Sequence, residues 1–276
     1  MKLYYTAICL MILVLTACRK KDNVGPTDPD YRNFSIASIT DVPPFVYNGN
    51  QLVAIGNEQF SYDGKGRIIG SRMEGQDTIL GLIRRYVYKT TFKWVNNLCA
   101  GSVADSLYNY TADMDGKVIN KNFSSGDILS SYDYNPSSGQ LNGLTLLPGK
   151  WTSAPYTSLK YEYDAKGNIS RVECTQPSSI IGPGTGPGID VYTITFEYDN
   201  HPNPFYTMYK KYGMILPALQ QFATQMTPNN PVKMQLKVDP QLELTLTFSY
   251  EYNEAGYPVK IISNGGDGKV TYITYR

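Results

Sequence analysis

The sequence predicts an all-β protein: one large curved antiparallel sheet of consecutive hairpins, rolled or barrel-like, with one short helical insertion. Three observations predict it. A pattern of aromatic-x-aromatic, Asp/Asn-x-x-Gly, x, aliphatic recurs along most of the chain. Longer stretches alternate apolar and polar residues with period two, as a sheet with one packed and one wet face requires. Helical spacing of apolar residues is confined to Phe205–Met226.

The clearest copy of the pattern runs Tyr161-Glu162-Tyr163-Asp164-Ala165-Lys166-Gly167-Asn168-Ile169, with Val172 beyond. Tyr161 and Tyr163 are two apart, so in a strand they share a face. Asp164 opens a turn through its carboxylate, and Gly167 closes it at positive φ. Such a connection is a common hairpin solution, a type I turn followed by a bulge glycine. Phe60, Tyr62, Asp63, Gly66 and Ile68 repeat it, and Phe248, Tyr250, Tyr252, Asn253, Gly256 and Val259 repeat it with Pro258 added. Tyr108 to Val118 and Tyr132 to Leu141 are stretched copies. Phe196-Glu197-Tyr198-Asp199 begins another, whose turn expands into an insertion over about 200–231. The irregular intervals exclude a strict solenoid. The aromatics read as sheet packing, with stacking on a sugar or other flat ligand as the functional alternative. Trp94 and Trp151 lie outside the repeats.

Strands are expected near 51–62, 67–74, 84–95, 102–112, 117–124, 128–135, 140–147, 157–164 and 168–175. Later ones fall near 189–199, 232–238, 243–252, 257–263 and 269–275. The alternation is best near the end: Leu242, Leu244, Leu246, Phe248, Tyr250 and Tyr252 share a face, against Glu243, Thr245, Thr247, Ser249 and Glu251. In the insertion, Phe205, Met208, Tyr209, Tyr212, Ile215, Leu216, Leu219 and Phe222 recur at helical spacing. Pro217 is expected to break that helix or start a second short one. The helix reads as a cover over an end of the sheet, or as a docking element for a partner.

The start has a different character. Met1-Lys2 is positive, Leu3 to Ala17 is almost wholly apolar, and Leu15-Thr16-Ala17-Cys18 resembles a bacterial lipobox. Residues 1–17 are expected to be a lipoprotein signal peptide, too short to span as a mature helix of roughly 20 residues. Cys18 is the expected lipidation site, and 18–33, with Gly25, Pro26 and Pro29, the tether. A single all-β domain is expected over 34–276. Removing the leader takes away Lys2 and no acid, which leaves 24 acidic residues matched by basic ones. That balance argues against nucleic acid and against binding through a basic patch.

The Tyr-Asp-Ala-Lys-Gly-Asn-Ile hairpin resembles the Tyr-Asp repeat of Rhs-type and teneurin-type β-shells. The chain is more similar to a family of uncharacterised Bacteroidetes lipoproteins with a porin-like fold. That resemblance rests on the lipoprotein start, the hairpins, and Tyr198-Asp199-Asn200-His201-Pro202-Asn203-Pro204-Phe205 with Pro228-Asn229-Asn230-Pro231-Val232-Lys233. It implies a porin-like sheet in an outer-membrane, lipid-anchored protein, and brings no catalytic residues. Arg19-Lys20-Lys21-Asp22 is similar to surface-export signals, without their paired acids, which favours the cell surface over the periplasmic face. Asp77-Thr78-Ile79 and Asp105-Ser106-Leu107 resemble a short O-glycosylation acceptor of Bacteroidetes envelope proteins, with Thr78 and Ser106 as the acceptors.

Candidate chemistry is sparse. His201 is the only histidine, so a two-histidine metal site is excluded and no metal site is expected. Wedged between Asn200 and Pro202, it reads as a turn residue. Cys99 and Cys174 are disulfide candidates in an oxidising envelope, with two buried thiols as the equal alternative. Asp113-Met114-Asp115-Gly116 and Asp267-Gly268 are fragments of calcium loops without the distal acid. Gly182 to Gly188 is a hairpin tip without the lysine of a phosphate loop. No catalytic residue and no cofactor is expected. The expected role is binding a glycan or an envelope protein; a carboxylate-based glycoside hydrolase and a passive coat are the alternatives.

Acylation contributes about 0.8 kcal/mol per buried CH₂, so two or three chains hold a protein firmly. Cys18→Ser should therefore move the protein from the membrane to the soluble fraction, and the wild-type mature mass should include the acyl groups. Retention of Cys18→Ser on membranes would refute the anchor.

Overall fold

In a computed structural model of the chain, the corner at Asp164 forms as its sequence predicts. Gly167 N donates to Asp164 O (3.1 Å) and Asp164 N to Asn168 O (2.8 Å). Gly167 sits at φ 84°, the left-handed region that costs glycine nothing. The register slips by one residue between Glu162 and Tyr163, which is the bulge. Asp63–Arg67 and Asn253–Tyr257 repeat the same backbone bonds, with Gly66 at φ 76° and Gly256 at φ 81°. The structure describes residues 33–79, 82–95, 97–112, 118–124, 127–135, 140–146, 157–177, 189–214, 216, 219, 225–238, 242–265 and 268–276. The leader, Cys18, the tether to residue 32, the tip at 182–188, the Asp113–Gly116 fragment, Asp267 and Trp151 lie outside them.

The described fold is all-β and antiparallel, with one helix among the described residues. The stretch read as one domain divides into two compact units. The second unit, residues 43–131 and 147–153, holds β2 (Phe45–Asn48), β3 (Gln51–Ile55), β4 (Glu58–Tyr62), β5 (Ile68–Ile79), β6 (Leu82–Val95), β7 (Leu98–Ala112) and β8 (Val118–Ser124). Each pairs with the next. The strand expected over 51–62 is two strands. Gly56 takes φ 58° and turns the chain at Gly56-Asn57, so Ile55 faces Glu58 across a two-residue hairpin. The Asp63 corner carries its own lock here. Arg67 pairs with the Asp63 carboxylate at 2.7 Å, and its guanidinium lies 5.4 Å from the centre of the Trp94 ring.

The first unit holds β1 (Ile36–Ile39), β10 (Leu141–Leu146), β11 (Thr157–Tyr163), β12 (Ile169–Pro177), β13 (Ile189–Pro202), β14 (Asn229–Val238), β15 (Leu242–Tyr252), β16 (Pro258–Ser263) and β17 (Val270–Tyr275). β9 (Asp127–Tyr134) starts in the second unit and ends in the first. Strands β10 to β17 pair in sequence, and β1 closes onto β17 through Ile36↔Tyr275. β1 and β2 were not expected from the sequence; a bulge between Ile36 and Ser38 breaks the alternation of β1.

Two faces separate cleanly in this unit. On one, directly opposed pairs are apolar: Leu159↔Cys174, Tyr161↔Val172, Cys174↔Tyr192, Val172↔Ile194 and Ile194↔Leu236. All are buried in one cluster. Each buried side chain of this kind contributes roughly 1.5–3 kcal/mol. On the other, opposed pairs are oppositely charged. Arg171–Glu162 lies at 3.1 Å, Lys233–Glu197 at 2.8 Å, Lys260–Glu251 at 2.6 Å, and Lys160–Glu173 and Lys237–Glu243 at 3.8 Å. Exposed pairs contribute only about 0.2–1 kcal/mol each. Their larger effect is on register, because a one-residue slip would drive every charge into the apolar face.

Helix α1 (Pro204–Tyr212) sits between β13 and β14. Asn203 caps it by accepting from Phe205 N at 2.9 Å, and Pro204 takes the first turn, where no N–H is needed. The helix stops earlier than Phe205–Met226. Gly213 enters the left-handed region at φ 68° and donates to Tyr209 O, a standard glycine stop ahead of Pro217. Leu216 and Leu219, read as helical, are buried beyond it, with Leu219 in a 3₁₀ turn.

Nothing lies within 4 Å of a Cβ added at Gly167, so Gly167→Ala isolates the backbone cost. The left-handed penalty is roughly 1–2 kcal/mol. We expect the melting temperature to fall by about 2–4 °C per kcal/mol, and Gly167→Asn to fall less. An unchanged melting temperature for Gly167→Ala would contradict the turn assignment.

Candidate functional site

The corner end of the first unit gathers polar side chains that the strands alone do not require. Asp164 Oδ1 accepts from Lys166 N and Asn168 N, both at 2.8 Å, and Oδ2 accepts from Asn168 Nδ2 at 3.1 Å. Asn168 is fully buried. Its Nδ2 also reaches Asn229 Oδ1 (3.1 Å), and its Oδ1 accepts from Asn229 N (3.0 Å). Asn229 Nδ2 in turn donates to His201 O at 3.1 Å.

The incomplete copy at Asp199 is the same corner with an insertion spliced into it. In regular copies the opening carboxylate accepts the N–H two and four residues on: Lys65 and Arg67 for Asp63, Lys166 and Asn168 for Asp164. Asp199 Oδ1 accepts the first from His201 N at 2.9 Å. The second comes from Asn230 N at 3.0 Å, after the excursion through α1. Asp199 Oδ2 then accepts from Asn230 Nδ2 (3.1 Å) and from the Tyr252 hydroxyl. Asn203 ties the base of the excursion by donating to Thr227 O at 3.0 Å. Asn203, Thr227 and Asn230 are all buried, and their bonds offset the cost of burial.

Beside this network lies a cleft of about 320 Å³, lined by Asp164, Ala165, Lys166, Asn168, Ser170, Phe196, Glu197, Tyr198 and Asp199. Lys166 Nζ donates to Asn200 Oδ1 at 2.6 Å across its mouth. Glu197 receives Lys233. Tyr198 forms part of the wall and donates to Ile169 O at 2.7 Å; burial pushes its hydroxyl pKa far up. Asp164 accepts from three backbone and amide donors, and Asp199 from His201 N, Asn230 N, Asn230 Nδ2 and the Tyr252 hydroxyl.

The comparisons with known proteins can be set beside this geometry. No family model matches the chain, and no curated protein matches it. Among solved structures it is similar to a porin-like protein from Bacteroides vulgatus, with 11% identity over 87% of this chain and 98% of that one, and a TM-score of 0.41. It is also similar to a porin-like protein from Bacteroides uniformis, with 14% identity over 79% and 90% of the two chains and a TM-score of 0.36.

The residues singled out in the sequence are dispersed. Thr78 lies in β5 opposite Ile83 and Ser106 in β7 opposite Lys89; their side chains are outside the described residues. Cys99 and Cys174 are buried thiols in different units and form no disulfide with each other. Cys99 Sγ donates to Gly101 O at 3.6 Å. His201, read as a turn residue, lies instead at the end of β13 and stacks on Tyr252 with ring centres 3.8 Å apart. Among the described carboxyls, Glu58 in the second unit is raised, by burial partly opposed by a Ser71 hydrogen bond. No group of three His, Cys, Asp or Glu among the described residues could hold a metal ion. The asparagines at 168, 203, 229 and 230 had no assigned role in the sequence. The signal for the last three is the pair of Asn-Pro-rich segments flanking the helix; Asn168 belongs to the Asp164 hairpin.

Burial pushes the Cys99 thiol up to about 11 and Cys174 up to about 12, from an ordinary 9.0. Tyr198 and Tyr250 are raised for the same first reason. These groups keep their protons in the folded state after the unfolded chain has lost them. Their stabilisation is complete below the ordinary thiol value and fades as pH rises through the folded values. The urea midpoint should hold up to about pH 9 and fall from there. A midpoint that rises or stays level at higher pH would contradict the burial of these groups.

Proposed function

We propose that this is a lipid-anchored envelope protein that works by binding a glycan in the cleft at the Asp164 corner, and not by catalysis. One observation carries the reading. Of the three carboxylates that line the cleft, Asp164 and Asp199 are bound by backbone, amide and tyrosine donors of the fold and Glu197 is paired with Lys233, so each is already engaged by the protein's own groups. What the cleft offers a ligand is the Lys166 ammonium, the Ser170 hydroxyl, the Glu197 carboxylate and the edges of Phe196 and Tyr198. A saccharide matches that mixture, having hydroxyls around its rim and apolar C–H faces. The volume is at the small end of ligand pockets, which run about 300–1,000 Å³, and suits a short sugar segment. The lipobox at Cys18 and the even charge balance support an envelope setting with no nucleic-acid partner.

The test is a glycan array with the full mature protein, followed by calorimetry on the best glycan. Lys166→Ala should weaken binding by about tenfold, or about 1.4 kcal/mol, with the melting temperature kept. Turnover of the bound glycan, or no glycan retained at all, would overturn the proposal.

A further inference from the structure

The cleft marks the place where two neighbouring strands of the first unit part. β12 and β13 hold register from Pro177↔Ile189 to Arg171↔Thr195, and their ladder ends there. Neither strand ends with it. β12 reaches back to Ile169, which pairs with Tyr163 of β11. β13 runs on along β14 through Phe196↔Met234 and Glu197↔Lys233. Ser170 on one strand and Phe196, Glu197 and Tyr198 on the other line the cleft between them. Two ties span it: the Tyr198 hydroxyl donates to Ile169 O at 2.7 Å, and Lys166 Nζ to Asn200 Oδ1 at 2.6 Å.

A strand turns its N–H and C=O groups alternately to its two neighbours. Past Thr195, β13 keeps β14 on one side and has the cleft on the other. Main-chain groups turned to the cleft side therefore meet the cleft where a ladder partner stood further up, and such groups call for a partner. A peptide strand needs a run of open edge to pair with. This opening runs only from Arg171 and Thr195 to the Tyr198 tie, so it suits a single amide. An acetamido group carries one N–H, one C=O and a methyl. The stacked rings of Phe196 and Tyr198, with centres 6.1 Å apart, give the methyl an apolar wall. The Ser170 hydroxyl and the Lys166 ammonium remain for hydroxyls of the sugar.

Charge points to a neutral ligand. Asp164, Glu197 and Asp199 line the cleft against Lys166, with Lys233 held on Glu197. A sugar carboxylate would meet more negative than positive charge there.

We propose that the cleft selects N-acetylated amino sugars, the acetamido group entering the gap between β12 and β13 and pairing with their main chain. The proposal rests on the reading of the cleft as a glycan site and adds the class of sugar.

The test compares N,N′-diacetylchitobiose with cellobiose, two neutral disaccharides that differ at C2 alone, by calorimetry on the full mature protein. A glycan array carries the same comparison for N-acetylgalactosamine against galactose. Backbone amide shifts are followed while the preferred sugar is added. In at least one pair the N-acetylated member should bind at least about tenfold tighter. Its addition should move the amide signals of Ser170, Phe196 and Glu197 more than those of the Asp63 corner. No preference for the acetamido group in either pair, with glycans still bound, overturns the selection and leaves the glycan reading standing. Shifts that spare these three amides overturn the placement in the gap. No glycan bound at all overturns the site and its selectivity together.

Discussion

The structure depends on one small interaction repeated at each corner: a side-chain oxygen of Asp or Asn that bridges backbone N–H groups across a tight reversal. Asp63 and Asp164 each take two such N–H groups, and Asn253 takes the one from Tyr257. A reversal of this tightness leaves amides without a strand partner, and the Asp or Asn side chain supplies one. That bond fixes where each strand ends. The bulge that follows sets the register of the next strand. Register decides which face is apolar, so packing of the sheet descends from the corner.

Asp199 shows how much that device tolerates. Its second N–H comes from Asn230, and the carboxylate does not distinguish a donor four residues away from one across an insertion. With the excursion through α1, β13 and β14 stay in register up to Glu197↔Lys233, shift at Tyr198 and again before Pro202, and the oxygen still finds both of its donors. The tyrosines extend the same logic between hairpins. Tyr163 donates to Leu141 O, Tyr198 to Ile169 O and Tyr275 to Pro258 O, at 2.5–2.7 Å. Tyr62 reaches Leu52 O and Tyr250 reaches Pro231 O. Each ring packs on one face while its hydroxyl ties the start of the preceding strand. Phenylalanine would supply the packing without the tie, which accounts for the tyrosine directly before the corner at Tyr62, Tyr163 and Tyr198; in the Asn253 copy the tie comes from Tyr250, two residues before Tyr252.

This division explains what the sequence made legible. A corner is local: Asp164 and Gly167 act within five residues, so the pattern predicts hairpin, bulge and glycine φ together. The alternation of β15 is equally local. Gly56-Asn57, with Glu58 and Gln59 behind it, is itself an ordinary two-residue hairpin signal and was legible, although the strand expected over 51–62 runs straight through it. The end of α1 escaped because helical spacing persists through Leu216 and Leu219, which are buried without being α-helical, while Gly213 had already stopped the helix. The cleft was the least legible feature. Its polar frame joins Asn168 to Asn229 and Asp199 to Asn230, contacts between distant positions that no window of sequence contains. Thr78 and Ser106 were chosen from short motifs alone, and their strands say nothing of modification.

The polarity of the first unit bears on how it can meet a membrane. A sheet that crosses lipid carries an apolar outward band about 25 Å tall and keeps its polar residues inside. Here the closely packed side is Leu159, Val172, Tyr192, Ile194 and Leu236, and the opposite side is Lys160, Glu162, Arg171, Glu173, Glu197, Lys233, Lys237 and Glu243. Placing a lysine or arginine of that side at the bilayer midplane costs roughly 2–4 kcal/mol each. The losses would fall on adjacent strands at once and far exceed what a marginally stable fold can absorb. The packed side leaves no polar lumen either, since its side chains already touch across the sheet. The same registered pairs that keep charge out of the core therefore also oppose burial of this charged face in lipid.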